Sequence, residues 1–110
     1  MLYVLPNKTI RLTRGDTAYL TIPIATSIGE EYVVGAEDAI TFSVKKNVND
    51  VQYLIHKTVV GSNVLKIEPI DTKDLAFGKY KYDVELITAS GDIFTLIEVS
   101  TFEILPEVTC

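Results

Sequence analysis

The sequence predicts an all-β fold, an antiparallel sandwich or barrel of seven to eight short strands. Three observations support this prediction. Short segments alternate between apolar and polar residues, turn-forming residues separate them about every eight to twelve positions, and no useful stretch repeats its apolar residues at the period of a helix. The 110 residues are 47% apolar and 23% charged, which is typical of a globular domain. Residues 1–110 are therefore expected to form one domain.

Each expected strand is bounded by residues that favour a turn. Gly15-Asp16 separates two strands, and residues 61–63 and 89–92 each close a hairpin. Residues 25–37 lose the alternation, so we expect a long loop there, with at most a short strand over residues 32–34. The expected strands, in chain order, are residues 8–14, 17–24, 39–45, 52–60, 64–70, 79–88 and 93–105, with residues 1–6 as an edge strand or a loose arm.

The last expected strand changes phase along its length. Ile93 and Ile97 share one parity, whereas Phe102 and Ile104 belong to the other. A β-bulge inserts one extra residue and restores the alternation. We therefore predict a bulge near Ser100-Thr101.

The segment DTKDLAFGKYKY predicts a corner that leads into the most regular strand. Asp71 is expected to cap one helical turn, Leu75 and Phe77 to anchor it, and Gly78 to permit a tight bend. We expect the Tyr80 hydroxyl to donate a hydrogen bond to an upstream backbone carbonyl. This pattern resembles the tyrosine corner of immunoglobulin-like domains, which favours an immunoglobulin-like antiparallel β-sandwich over a barrel.

Composition and charge argue against several kinds of partner. Ten basic and fifteen acidic residues give a net charge of −5, which opposes nonspecific attraction to nucleic-acid phosphates and to anionic lipid. No segment approaches the roughly 20 apolar residues that span a bilayer. The start, MLYVLPNKTI, lacks the basic beginning and the longer apolar stretch of a signal peptide. We expect no nucleic-acid partner, no membrane insertion and no signal peptide.

Residue types that carry catalysis or hold metals are sparse. The chain has one His, His56, and one Cys, Cys110, and it contains none of the motifs CxxC, HExxH or GxSxG. His56 lies in an expected strand, where a surface role is the simpler explanation. A disulfide at Cys110 would have to join two chains. We therefore expect no catalytic residue, no metal, no cofactor and no enzymatic activity.

Two other patterns have simple explanations. Four carboxylates share the expected long loop, but their spacing matches no calcium-binding loop, so solvated surface charge explains them better. Arg14-Gly15-Asp16 matches an integrin-type tripeptide by three letters only, and its last two residues already serve as a turn. The four carboxylates are Glu30, Glu31, Glu37 and Asp38.

Two stretches, residues 51–55 and 94–97, carry apolar side chains at both parities. An antiparallel strand of this kind is covered on both faces, either by its own chain or by another molecule. The sequence weights these two possibilities equally. Aromatic residues such as Tyr32 and Tyr53, if exposed, could instead stack on sugars.

Three stretches of the chain together carry a resemblance to a known family of domains. They are RLTRGDTAYLTIPI near the start, AITFSVKK in the middle and IDTKDLAFGKYKYDVELITASGDIFTLIEVSTFEILPEVT at the end. Together they resemble the small immunoglobulin-like domains encoded by phages and prophages of Gram-positive bacteria, and they are similar to the N-terminal domain of phage baseplate upper proteins.

The resemblance implies a non-enzymatic virion structural role in a tail, baseplate or fibre. It implies contacts with other virion proteins or with further copies of the chain. It also implies a location in the virion, or in the bacterial cytoplasm before assembly. The alternative is a ligand-binding or adhesion module that recognises a cell-surface glycan or protein.

Overall fold

The structure is a computed structural model that describes the backbone of residues 2–4 and all atoms of residues 8–22, 24 and 33–107. The described residues are β-rich, as predicted, and contain a single helical turn. The elements are β1 (Leu2–Val4), β2 (Ile10–Thr13), β3 (Ala18–Thr21), β4 (Ala39–Lys45), β5 (Ile55–Val60), β6 (Val64–Ile67), α1 (Pro69–Lys73), β7 (Gly78–Ile87) and β8 (Ile93–Leu105).

The strands form two sheets. The large sheet has the order β1-β2-β8-β7-β4-β5, and β3 and β6 form a small second sheet. All described pairs are antiparallel except β2 and β8, which run parallel from Ile10 opposite Phe102 to Thr13 opposite Leu105. The prediction of a purely antiparallel fold is therefore wrong at this pair. The alternation of apolar and polar residues within one strand does not show whether a neighbouring strand, distant in the sequence, runs parallel or antiparallel to it.

The observed strand limits follow the alternation closely where it is strict. β4 and β8 have the predicted bounds. β5 begins at Ile55 rather than at residue 52, because the residues before it are exposed and lie outside the ladder. β6 ends at Ile67 because Pro69, which donates no backbone hydrogen bond, opens α1. Val33 and Val34 form no strand, and Tyr32 lies outside the described residues.

One cluster of buried side chains joins the inner faces of both sheets. Its centre is a group of three rings, with the Phe42 centroid 5.6 Å from Tyr82 and 5.9 Å from Phe102. Leu20 and Leu65 of the small sheet belong to the same cluster. Alternate residues of β2, β4 and β7 point into it, which explains the strict period of two in these strands.

The predicted phase change in β8 is confirmed, but the bulge lies earlier in the strand than Ser100-Thr101. Asp83 of β7 faces two residues of β8, Glu98 and Val99, and Leu96 is a second extra residue. A bulge bends the strand and redirects the side chains beside it. Val99 is consequently 52% exposed on the outer face of the large sheet.

The helical turn is capped differently from the prediction. Glu68, not Asp71, is the residue that precedes α1, because Pro69 fixes the first helical position. Asp71 is the third helical residue, and its Oδ2 accepts a hydrogen bond from the Glu68 amide at 2.7 Å. Asp71 therefore still caps the turn, from three residues further along the chain.

The corner contains the predicted tyrosine hydrogen bond. The Tyr80 hydroxyl donates to the Ala76 carbonyl at 2.6 Å, and Leu75 packs against the core. Gly78 has a φ of +133°, a conformation that other residues rarely adopt. Phe77, the other residue predicted to anchor the corner, is 47% exposed and lies outside the buried core cluster, with the Arg14 guanidinium 4.2 Å from its ring centroid.

Changing Tyr80 to Phe is expected to lower the free energy of unfolding by about 1 to 2 kcal/mol, because the variant loses one hydrogen bond and leaves the Ala76 carbonyl without it. Urea unfolding measures this change. Tyr19→Phe is the control, since Tyr19 is 63% exposed and its hydroxyl bonds no described residue. Equal losses in the two variants would contradict a locking role for Tyr80.

Candidate binding surface on the outer face of the large sheet

The outer face of β5, β4, β7 and β8 begins with an apolar row. Ala39 pairs with Val60 on one side and with Ile87 on the other, and Ile87 pairs with Ile93. Val60 is 61% exposed and Ile93 is 62% exposed. We call these four residues, Ala39, Val60, Ile87 and Ile93, the apolar row.

Next to the apolar row lies a band of polar residues, three threonines and one glutamate. Thr41 pairs with Thr58 on β5 and with Glu85 on β7, and Glu85 pairs with Thr95 on β8. The hydroxyls of Thr41 and Thr58 lie 3.1 Å apart. The outer face therefore passes from apolar to polar within one residue pair along each strand.

A shallow groove of about 190 Å³ lies further along the same face. Its residues come from β4, β5, β7, the β4–β5 connection and the β8 bulge. We call it the outer-face groove, and its lining includes Thr41, Ser43, Lys45, Val48, Tyr53, His56, Lys81, Asp83, Glu85 and Val99. The bulge supplies Val99 and the connection supplies Val48 and Tyr53, so irregular parts of the fold create a concavity on a sheet face.

Ser43, His56 and Tyr53 form a connected group in this groove. The Ser43 hydroxyl and His56 Nδ1 lie 2.9 Å apart, and the imidazole stacks on the Tyr53 ring with centroids 4.3 Å apart. The Lys45 ammonium lies 4.7 Å from the centroid of the same ring. Two groups therefore already lie against Tyr53, which limits its use as a free stacking platform.

The Ser43–His56 pair lacks the other parts of an activated nucleophile. Among the described residues, no carboxylate bonds the second ring nitrogen of His56. Ser43 lies in the middle of β4, whose backbone is paired with β5 and β7, so its neighbouring amides cannot form an oxyanion hole. The chemistry that this group supports is hydrogen bonding to a ligand.

The charges in the groove are separated along β7. Lys81 pairs directly with Lys45 of β4, whereas Asp83 and Glu85 occupy the next two outward positions. In the described part of the chain, none of these four residues forms an ion pair. The groove therefore has a basic end and an acidic end.

The predicted acidic loop is not a cation site in the described residues. Asp38 is buried and serves the fold, because its Oδ2 accepts from the Gly35 amide at 2.9 Å and its Oδ1 from the Ala89 amide at 3.2 Å. Glu37 is exposed, and Glu30 and Glu31 lie outside the described residues. No three acidic, His or Cys side chains of the described ranges come together as a metal centre.

The tripeptide Arg14-Gly15-Asp16 packs against the corner. The Arg14 Nε atom lies 2.8 Å from Glu107 Oε1, and its guanidinium lies 4.2 Å from the Phe77 ring centroid. The Gly15 amide donates to the hydroxyl of the fully buried Thr72 at 2.8 Å. Arg14 is therefore engaged within the molecule, and it covers the Phe77 ring.

The sequence did not identify the groove. Ser43 and Lys45 alternate with buried residues, as do Lys81, Asp83 and Glu85, so their shared outward direction was predictable. The pairing of β4 with β5 and β7 was not. The corner residues Asp71, Leu75, Phe77, Gly78 and Tyr80 do not line the groove, and Cys110 lies outside the described residues.

Comparison with known proteins adds no family assignment. No family model matches the chain, and no curated protein or solved structure matches it. The helix α1 has five residues. No helix in the described ranges is long and apolar enough to cross a bilayer. The function is therefore inferred from the surface of the molecule and from its sequence motifs.

Proposed function

We propose that the chain is an immunoglobulin-like β-sandwich module that assembles, without catalysis, in a phage or prophage virion, as part of a tail or baseplate. The two sheets around one core and the Tyr80 corner support the sandwich. The family-like stretches RLTRGDTAYLTIPI and KYKYDVELI support the phage assignment. Partners are other virion proteins or further copies of the chain.

The observation that carries the assembly role is the apolar row. Exposed apolar residues are common as single side chains, but contiguous groups mark interaction surfaces. Val60, Ile87 and Ile93 occupy one line across the sheet, and hydroxyl-bearing residues border it. Protein interfaces have this arrangement of an apolar centre and a polar rim.

Light scattering on the purified protein tests this role, first alone and then with the products of the genes that neighbour its own. We expect a defined oligomer, or a defined complex with a neighbouring tail or baseplate protein. A strict monomer that binds none of these proteins would contradict the assembly role.

Changing Ile93 to Lys is expected to weaken this assembly by about tenfold or more, because the ammonium group would lose water on entering an apolar contact. The variant should unfold at the same urea concentration as the original protein, since Ile93 is largely exposed. Val51→Lys is the matched control, because Val51 is 93% exposed and lies outside the apolar row. The expectation fails if the two variants assemble equally well.

A second candidate function is recognition of a cell-surface glycan, and the outer-face groove favours it. The groove combines hydroxyl, carboxylate and ammonium groups with the apolar Val48 and Val99. Small-molecule sites have this mixture of apolar surface and a few polar groups. A glycan array without hits would contradict this candidate and would leave the assembly role untouched.

A further inference from the structure

The basic end of the outer-face groove is electrostatically unfavourable without a ligand. Lys45 and Lys81 lie directly opposite each other on neighbouring strands, and like charges in this position destabilise a sheet. The ion pairs of the described residues use other cations, namely Arg11, Arg14 and Lys57. The Lys45 ammonium lies 4.7 Å from the Tyr53 ring centroid and forms no ion pair with a described residue. Two uncompensated ammonium groups beside a cavity are suited to hold a carboxylate or phosphate.

The acidic end of the groove is suited to bind the hydroxyl groups of a ligand. Asp83 pairs with Ser43 and Glu85 with Thr41, so each carboxylate lies beside a hydroxyl. Carboxylates accept hydrogen bonds, whereas a serine or threonine hydroxyl can donate or accept. A ligand with several hydroxyl groups can form hydrogen bonds with both the carboxylates and the side-chain hydroxyls. A simple anion cannot, because it has no hydroxyl groups that could donate to Asp83 and Glu85.

The backbone of the groove favours a sugar over a peptide. Peptides that bind sheets pair with the backbone of a free edge. The floor of the groove consists of β4 and β7, and β4 is paired on both sides. Recognition there depends on side chains, and Val48 and Val99 offer apolar surface to the C–H groups of a sugar ring.

We propose that the outer-face groove binds an anionic saccharide, with its carboxylate or phosphate between Lys45 and Lys81 and its hydroxyls on Asp83 and Ser43. This inference makes the second candidate function specific, and it does not depend on assembly through the apolar row. The anion is either the carboxylate of a uronic acid or the phosphate of a sugar phosphate. Both sources place negatively charged oxygens between the two lysines.

Titrations followed by amide NMR test the proposal with three probes: digalacturonic acid, its neutral galactose counterpart and glucose 1-phosphate. We expect at least one charged probe to bind about tenfold more tightly than the neutral disaccharide, since a charge-assisted hydrogen bond contributes that much. The charged probe that binds identifies the anion. The shifted amides should belong to β4, β7 and the β8 bulge, and binding should weaken as salt is added.

Lys81→Gln is expected to weaken binding of the charged probe about tenfold and to leave the neutral disaccharide unaffected. It should not lower stability, because it removes a like-charge pair. Lys66→Gln is the control, since Lys66 is an exposed lysine on the small sheet. Three results would overturn the proposal: no preference for a charged probe, an equal loss in both lysine variants, or equally tight binding of an acidic peptide of the same charge.

Light scattering separates this proposal from the assembly role. A failed titration with intact assembly overturns the saccharide site alone. Successful titration of a protein that stays monomeric and binds none of the neighbouring gene products overturns the assembly role alone.

Discussion

Replacing Asp38 with Ala is expected to lower the free energy of unfolding by about 2 to 3 kcal/mol, because hydrogen bonds to a buried charged group contribute about 1.5 to 3 kcal/mol each. The Asp38 carboxylate joins two connections, through the amides of Gly35 and Ala89. Its carbonyl also accepts from the Gly61 amide at 2.9 Å. Gly35 and Ala89 are exposed, so water compensates part of the loss.

Urea unfolding of three variants tests this expectation. Asp38→Asn retains one acceptor oxygen and should lose about half as much free energy as the Ala variant. Glu37→Ala is the control, because Glu37 is exposed and adjacent in the sequence. If Asp38→Ala lowers the free energy of unfolding by less than about 0.5 kcal/mol, Asp38 behaves as an ordinary surface residue. That result would contradict a stabilising role for its hydrogen bonds to the amides of Gly35 and Ala89.

Tyr82 is expected to make stability fall at alkaline pH. Burial raises the pKa of Tyr82 to about 12, while a hydrogen bond to Ser100 acts in the opposite direction. The ring lies between Phe42 and Phe102 in the core, and the hydroxyl donates to the Lys8 carbonyl. The fold therefore favours the neutral phenol.

The direction of the pH effect follows from the two pKa values. An unfolded tyrosine loses its proton near pH 10, whereas folded Tyr82 keeps it to about pH 12. Between these values the unfolded chain binds fewer protons, so stability falls as pH rises. Tyr82 contributes its full stabilisation below pH 10 and loses about 2 kcal/mol of it by pH 12.

Changing Tyr82 to Phe isolates this effect. The variant is expected to lose about 1 to 2 kcal/mol at pH 7, because the Lys8 carbonyl loses its donor. From pH 7 to pH 11 its free energy of unfolding should fall by about 1 to 1.5 kcal/mol less than that of the original protein, because the variant has no phenol at this position. Urea unfolding at pH 7, 9, 10 and 11 measures the difference. Parallel pH profiles for the two proteins would show that Tyr82 titrates as an ordinary tyrosine.

The sequence predicted those features that depend on neighbouring residues. β4 was placed correctly because its apolar and polar residues alternate without interruption. Tyr80 and its acceptor lie four residues apart, so the corner was also a local pattern. The helical turn was displaced because Pro69 determines where it starts, while Asp71 caps it from the third helical position.

Features that depend on distant residues were missed. The parallel pairing of β2 with β8 joins two ends of the chain. Phe77 was expected to anchor the helical turn, but its contact with Arg14, 63 residues away, was not predicted. Asp38 was grouped with solvated acids, although its partner Ala89 is 51 residues away. The groove combines residues of three strands, one connection and one bulge, and no single stretch contains that arrangement.

Amide NMR tests assembly through the apolar row. The spectrum of the protein is compared at low and high concentration and after addition of each neighbouring gene product. The amides of Val60, Ile87 and Ile93 should shift or broaden together, and Ile93→Lys should abolish the effect. Changes confined to the small sheet, or no change with any of these partners, would contradict it.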